Sequence, residues 1–251
     1  MINLIKIEWH RLVKLRILPV LLLLAVYFSY IILDKLFGNS IDAVKFLSSG
    51  QATFANSFST NTTIFGPVIL AGYFLGSDFT QRTLQQQVAN GHTRKTLVLA
   101  KVIVFSFISL VLMMITPIVT TGIVTLIKGW GTDFTIETVS YILRVCFLTS
   151  LLSISAVSVY LSISFVCKDI FKTVLFSALF TILFIELGGI LVKDGTFFWD
   201  FYNFFPLNQV SAASQVHLPM KDLVKMLFSS IVTWVTMIGL TIIIFEKQDL
   251  N

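Results

Sequence analysis

The sequence predicts an all-α integral membrane protein with six transmembrane helices, an N-terminal amphipathic helix, and a short cytoplasmic helix between the second and third spans. Three observations predict it. Of 251 residues, 56% are hydrophobic and only 12% charged, against about 25% charged in a soluble domain. The mean hydropathy is +0.88. The apolar residues also fall in long blocks with charged punctuation between them, whereas barrel strands would be short and alternating.

Residues 2–16 read as a helix with two faces. Ile5, Trp9 and Leu12 share one side, and Lys6, His10 and Lys14 share the other through i,i+4 spacing. Such a helix can lie in the headgroup layer, basic side to phosphate, with Trp9 at the interface. The first span covers 17–37. No small-residue cleavage site follows it and it is as long as a true span, so it is expected to be retained rather than removed as a signal peptide.

The remaining spans are expected over 62–76, 97–127, 141–166, 173–192 and 223–245. A crossing needs roughly 20 residues at about 1.5 Å each. The second block is therefore short. The third is about ten residues too long and must tilt, protrude or kink, most naturally at Thr116-Pro117, where proline removes a backbone hydrogen bond.

With both termini inside, Lys6, Arg11, Lys14, Arg16, Arg82, Arg94, Lys95, Lys101, Lys168, Lys172 and Lys247 are cytoplasmic. That is 11 of the 18 basic residues, and four of them precede Pro19. An even number of spans agrees with this orientation.

The polar stretch between the second and third spans holds the most specific pattern. Phe79, Leu84 and Val88 form a narrow apolar stripe, with Arg82, Gln85, Gln86 and Gln87 around it. Asp78 or Thr80 is placed to cap the helix start, and Asn90-Gly91 supplies a left-handed stop. Isolated helices of fewer than about 12 residues are marginal, so this one calls for a partner surface. The bland alternative is a solvated connector.

Asp34, Arg144 and Glu186 are the charges nearest hydrocarbon. Asp34 and Arg144 lie close to outer helix ends. Glu186 is deeper, and an ionisable group at that depth is a candidate for the pathway or for gating. The long connection 193–222 is aromatic, and Trp199 and Tyr202 suit an interfacial or re-entrant segment on the outer face, or a lip that touches cargo. The loop 38–61 is more polar and contains Asn61-Thr-Thr63, an isolated glycosylation pattern.

Several chemistries are excluded. No GxxxxGK[ST], HExxH or GxSxG is present, and His10, His92 and His217 fall in different parts of the predicted topology. Cys146 and Cys167 have no CxxC or His-rich surroundings, so neither metal nor redox chemistry is indicated. The net charge of +5 is scattered at helix ends, which argues against nucleic acid.

The chain resembles the membrane-spanning permease of the ABC-2 class of ATP-driven exporters, particularly the small bacterial bacitracin-resistance and lantibiotic-immunity type. The resemblance rests on Glu8, Arg11, Lys14 and Arg16 before the first span, on Phe74-x-x-x-Asp78-x-x-x-Arg82-Thr-Leu84, and on Gly91-x-x-Arg94 with Lys101. Family members commonly carry an aromatic–acid–Thr-Leu run, then Gly-x-Ser-Arg and a downstream Lys; here Thr93 stands for the serine. The resemblance implies that residues 2–16 are an elbow helix and 79–90 a coupling helix entering a groove on a separate ABC ATPase dimer. Asp78, Phe79, Arg82, Leu84, Val88, Gly91 and Arg94 would be the ATPase-coupling residues. ATP and Mg would bind the ATPase, leaving this chain non-catalytic and without a cofactor or metal of its own. A second permease copy, identical or paralogous, would complete the path across the bacterial cytoplasmic membrane. The apolar spans suit a hydrophobic or amphipathic cargo such as an antimicrobial peptide. Ion or small-molecule drug efflux is the alternative within the class. A secondary transporter or a non-transporting scaffold is the alternative outside it.

Overall fold

Every regular element is helical among the residues that the computed structural model describes, which are 1–34, 48–58, 65–187 and 197–248. Side chains at 34, 185–187, 197 and 198 also lie outside the described set. The loop 38–47, the pattern at 61–63, and the side chains of Asp34 and Glu186 therefore fall outside it.

Helix α1, Ile2–Val13, is bent by 66° from α2, Ile17–Asp34. Helix α3, Gly50–Ser57, starts at Ser49, whose hydroxyl accepts from the Ala52 amide. Helix α4 is continuous through Phe65–Leu70, a π-helical turn at Ala71–Gly76, and Ser77–Thr80. Helix α5 is Thr83–Ala89, and Gly91 follows it with a φ of 88°, the left-handed stop expected there. Helix α6, Arg94–Lys128, begins with Thr93 accepting from the Thr96 amide and runs unbroken through Pro117. Helix α7 is Ile136–Cys167. Helix α8, Ile170–Thr181, continues as a second π turn at Ile182–Leu187. Helices α9, Phe197–Phe204, and α10, Pro206–Ala213, occupy what the sequence reads as loop. Helix α11, Met220–Lys247, ends the fold.

Among the described residues, three helices, α6, α7 and α11, are long and apolar enough to cross a membrane, and α1 with α2 makes a fourth if the bent pair is one span. Six were expected from the sequence. The two remaining blocks form α4 and α8, which are apolar but interrupted by π turns and shorter in their described extent. Helix α6 would measure roughly 50 Å at about 1.5 Å per residue, well beyond a hydrocarbon layer of about 30 Å. Its excess length is used at both ends. Its start seats α1 and α5, and its far end seats α3, where the Gly50 and Gln51 amides donate to the carbonyls of Gly129 and Trp130 at 3.0 Å each.

Helices α4 and α8 pack at backbone distance. A methyl group at Gly72 would lie 2.3 Å from Val174 Cγ2 and 2.9 Å from the Ile170 carbonyl oxygen, and one at Gly76 would lie 2.9 Å from that of Asp169. Two glycines four residues apart thus let the backbones meet, as small residues do in membrane bundles. Elsewhere hydroxyls join helices. Ser162 pairs with Thr241 at 2.9 Å, Tyr160 with Thr181 at 2.9 Å, and Thr116 donates to the Ala25 carbonyl at 3.2 Å. Others, including Thr120, Thr149 and Ser155, bond carbonyls of their own helix. The Ser and Thr residues named here are spent on helix packing and local backbone bonds.

The Gly76 contact is with main chain, which cannot swing aside. Gly76→Ala is expected to destabilise the protein by about 1–3 kcal/mol. Gly122→Ala, where the added methyl meets nothing within 4 Å, should be neutral or slightly stabilising. Thermal unfolding of both variants in detergent checks the contrast.

Candidate functional site

Four ionised side chains from three segments meet inside one end of the bundle. Glu8 comes from the inward face of α1, where Leu4 and Leu12 flank it at i−4 and i+4; Arg11 is one turn further on. Asp78 comes from the last turn of α4 and Lys101 from the second turn of α6. Glu8 and Asp78 are 0% exposed and Lys101 1%. Lys101 Nζ donates to Glu8 Oε2 at 2.8 Å and also to Asp78 Oδ2. Arg11 Nη2 pairs with Asp78 Oδ1, and its Nη1 stands 3.6 Å from Glu8 Oε2.

Two neutral donors from α5 complete the carboxylates. Gln87 Nε2 donates to Glu8 Oε1 at 2.8 Å, and Thr83 Oγ1 donates to Asp78 Oδ1 at 2.8 Å. The Phe74 ring faces both cations, with its centroid 6.0 Å from Arg11 Cζ and 5.4 Å from Lys101 Nζ. Two acids and two bases make the cluster formally neutral. Burial alone pushes the Glu8 carboxyl up, but Lys101, helped by Gln87 and Arg11, outweighs that and holds it below the usual carboxylate value. Burial lowers Arg11 in spite of Glu8.

The segment expected to dock on a partner is built differently from its sequence reading. Phe79 and Thr80 end α4, and only 83–89 forms the separate helix. Neither Asp78 nor Thr80 caps it. The residue before it is Arg82, held left-handed at φ 57°, and Asp78 is engaged in the ion cluster. The apolar stripe is turned inward. Leu84 is 1% exposed and belongs to the main core, Val88 packs against that core, and Phe79 sits edge-on to Phe165 with centroids 5.4 Å apart. Burying these side chains within the chain satisfies the hydrophobic demand that had called for a partner. The face left exposed is polar: Gln81, Arg82, Gln86, Asn90, Gly91 and His92.

Arg94 is also used internally. Its Nη1 donates to the carbonyls of Phe245, Glu246 and Gln248 at 2.6, 2.9 and 2.7 Å, closing the C-terminal end of α11, and its guanidinium lies 5.5 Å from the Phe245 ring centroid. Gln248 in turn donates to the Phe165 carbonyl at 2.8 Å. The start of the chain, the 77–94 segment, the turn between α7 and α8, and the last residues therefore converge on one end. Arg144 does the same service elsewhere, donating to the carbonyls of Gln215 and Val216 beyond α10. Trp199 and Tyr202 stack on each other within α9, and Tyr202 also stacks on Phe184, so this pair joins an aromatic cluster with Phe201 and Phe205. The structure does not bring them to the ion cluster.

The sequence places Asp78 on the docking segment without its partners. Glu8, Arg11 and Lys101 stand in separate stretches of the chain, and nothing local marks Thr83 and Gln87 as their neighbours. One signal was available: an acid at position 8 with leucine four residues to either side must point where the leucines point.

Removing one member of a buried ion group strands the others, whereas removing an opposite pair does not. Lys101→Met is expected to cost about 3–5 kcal/mol, read as a fall in thermal stability or loss of monodisperse protein. Adding Asp78→Asn to it should recover a measurable part. A double variant no better than the single one would contradict the pairing.

No curated protein matches the sequence. The model of the family described as "ABC-2 family transporter protein" matches residues 4–188, which spans α1 to the second π turn and includes all four ionised residues of the cluster. That stretch is well over half of the chain, and the protein belongs to the ABC-2 transporter family.

Proposed function

We propose that the chain, a membrane transport subunit by its family, is the permease of an ATP-driven exporter in a bacterial plasma membrane. It works with a separate ABC ATPase dimer and a second permease copy, identical or paralogous. Six spans cross the bilayer, with α4 and α8 as the second and fifth, and both termini are cytoplasmic. Helix α1 is the elbow, and α5 with its flanking turns is the coupling helix. ATP and Mg are bound by the partner, and this chain hydrolyses nothing.

The observation that carries this reading is the ion cluster, which ties α1, α4, α5 and α6 into one rigid end while α5 shows a polar face outward. A docked ATPase pushing on that end has direct purchase on the first and third spans, α2 through α1, and α6. It biases inward- and outward-open states through contacts that differ between them.

The cargo is an amphipathic or hydrophobic molecule, with a membrane-active antimicrobial peptide as the first choice and the bacitracin-resistance or lantibiotic-immunity type as its setting. Several hydroxyls that could have lined a hydrophilic path instead bond helix carbonyls or one another. An open groove between α7, α8 and α11 is lined mainly by apolar side chains, including Ile163, Phe176, Phe180, Leu183 and Met237. A hydrated ion would need polar ligands to replace its water.

Three experiments test the proposal. Purified alone, the protein should turn over no ATP, and co-expressed with its natural ATPase it should co-purify. Crosslinkers at Arg82, Gln86 and Asn90 should reach the ATPase, while labelling of those positions from outside the cell would overturn the topology. Cells with the complete transporter should grow at higher concentrations of cationic peptides or bacitracin-like antibiotics than cells without it. Protection confined to ions would replace the peptide by ion export.

A further inference from the structure

We propose that Gln87 and Thr83 are positioning residues that tether α5 to the buried ion cluster, so that displacing α5 unseats the N-terminal helix from α6. The inference rests on the reading of α5 as the coupling helix, but the geometry behind it stands independently. The two residues are one helical turn apart and contact different carboxylates. Gln87 Nε2 reaches Glu8 at 2.8 Å and Thr83 Oγ1 reaches Asp78 at 2.8 Å. The charged groups on those carboxylates, Lys101 and Arg11, belong to α6 and α1. Helix α5 is therefore attached to the carboxylates of both α1 and α4 through hydrogen bonds to ionised acceptors, which are of the strong kind, so a displacement of α5 pulls on Glu8 and Asp78 before it is released.

The cluster also holds the means to settle after that release. Arg11 Nη1 and Gln87 Oε1 are buried with no hydrogen-bond partner. Arg11 Nη1 stands 3.6 Å from Glu8 Oε2, about 0.8 Å beyond a charge-assisted bond. Glu8 and Arg11 share α1, so when Gln87 withdraws, rotation of the side chains alone lets Arg11 close on the same carboxylate within that helix. Two arrangements of one set of side chains follow, differing in which donors Glu8 accepts from. A two-state element of that kind is what carries displacement from one segment to another. The inward face of α1 reports it, because Leu4 and Leu12 are buried beside Glu8.

The test uses the full-length protein in membranes with Cys146→Ala and Cys167→Ala, and a reporter at Leu12→Cys, with Leu4→Cys as a second. Reaction with a water-soluble maleimide should be slow in this parent. Gln87→Met and Thr83→Val should each raise its rate about tenfold or more, the change in an opening equilibrium that follows loss of a hydrogen bond to a charged group. Thr83→Ser, which keeps the hydroxyl, should restore the slow rate, and Ala89→Ser on the exposed side of α5 should not alter it. Unchanged labelling at both reporters in both variants, or an equal rise in Ala89→Ser, overturns the proposal. With the natural ATPase present, ATP should accelerate labelling in the parent, whereas labelling in Gln87→Met should be fast with or without ATP. An ATPase that fails to bind the parent defeats the coupling-helix reading while the result on the isolated permease still decides the tether.

Discussion

One ammonium group holds together the end of the molecule on which everything else depends. Lys101 Nζ is shared between the carboxylates of Glu8 and Asp78, and none of the three is more than 1% exposed. Ionised groups leave water at a penalty of several kcal/mol each, so such an arrangement persists only when the charges are matched and the carboxylate oxygens are engaged. Here that condition recruits a second cation from α1 and two neutral donors from α5. The result fixes the register of four segments at once. A hydrophobic contact tolerates a slide of an ångström, but a shared proton donor between two acids does not. The cluster is thus better understood as a device for registry than as a source of net stability.

The apolar framework around it explains why the registry is rigid. Gly72 and Gly76 bring α4 against α8 at backbone distance, and the π turn over Ala71–Gly76 lies directly before Asp78. The wider π turn re-aims the residues that follow it, and π turns of this sort collect at functional sites. Phe74, within that turn, faces both cations of the cluster. Phe79, Phe165 and Phe245 then stack edge to face and bring the ends of α4, α7 and α11 to one level. Arg94 closes the last of these helices by taking up its terminal carbonyls. A push at the 77–94 segment meets no soft layer before it reaches the long helices.

The opposite end of the molecule is assembled from aromatic contacts. Phe54 of α3 packs with Phe58, Trp130 and Tyr141, while Phe184, Tyr202 and Phe205 gather beside α8. Such rings bury large areas in offset or edge-to-face contacts.

The sequence by itself determined the solvent and the secondary structure. Long apolar blocks can satisfy their backbone in lipid only as helices, and the stop of α5 was written in Asn90-Gly91. The residues that carry the family resemblance were legible too. Tertiary structure alone decided which way those residues face. A stripe at 79, 84 and 88 looks the same whether it awaits a partner or its own core, and the core took it because α4, α7 and α11 lay within reach. It also decided that Arg94 serves a helix end 151 residues away, and that the aromatic stretch after α8 folds as helices. Hydropathy is a local property of the chain and can be read along it. The pairing of Glu8 with Lys101, 93 positions apart, depends on where two helices cross, and no local pattern records that.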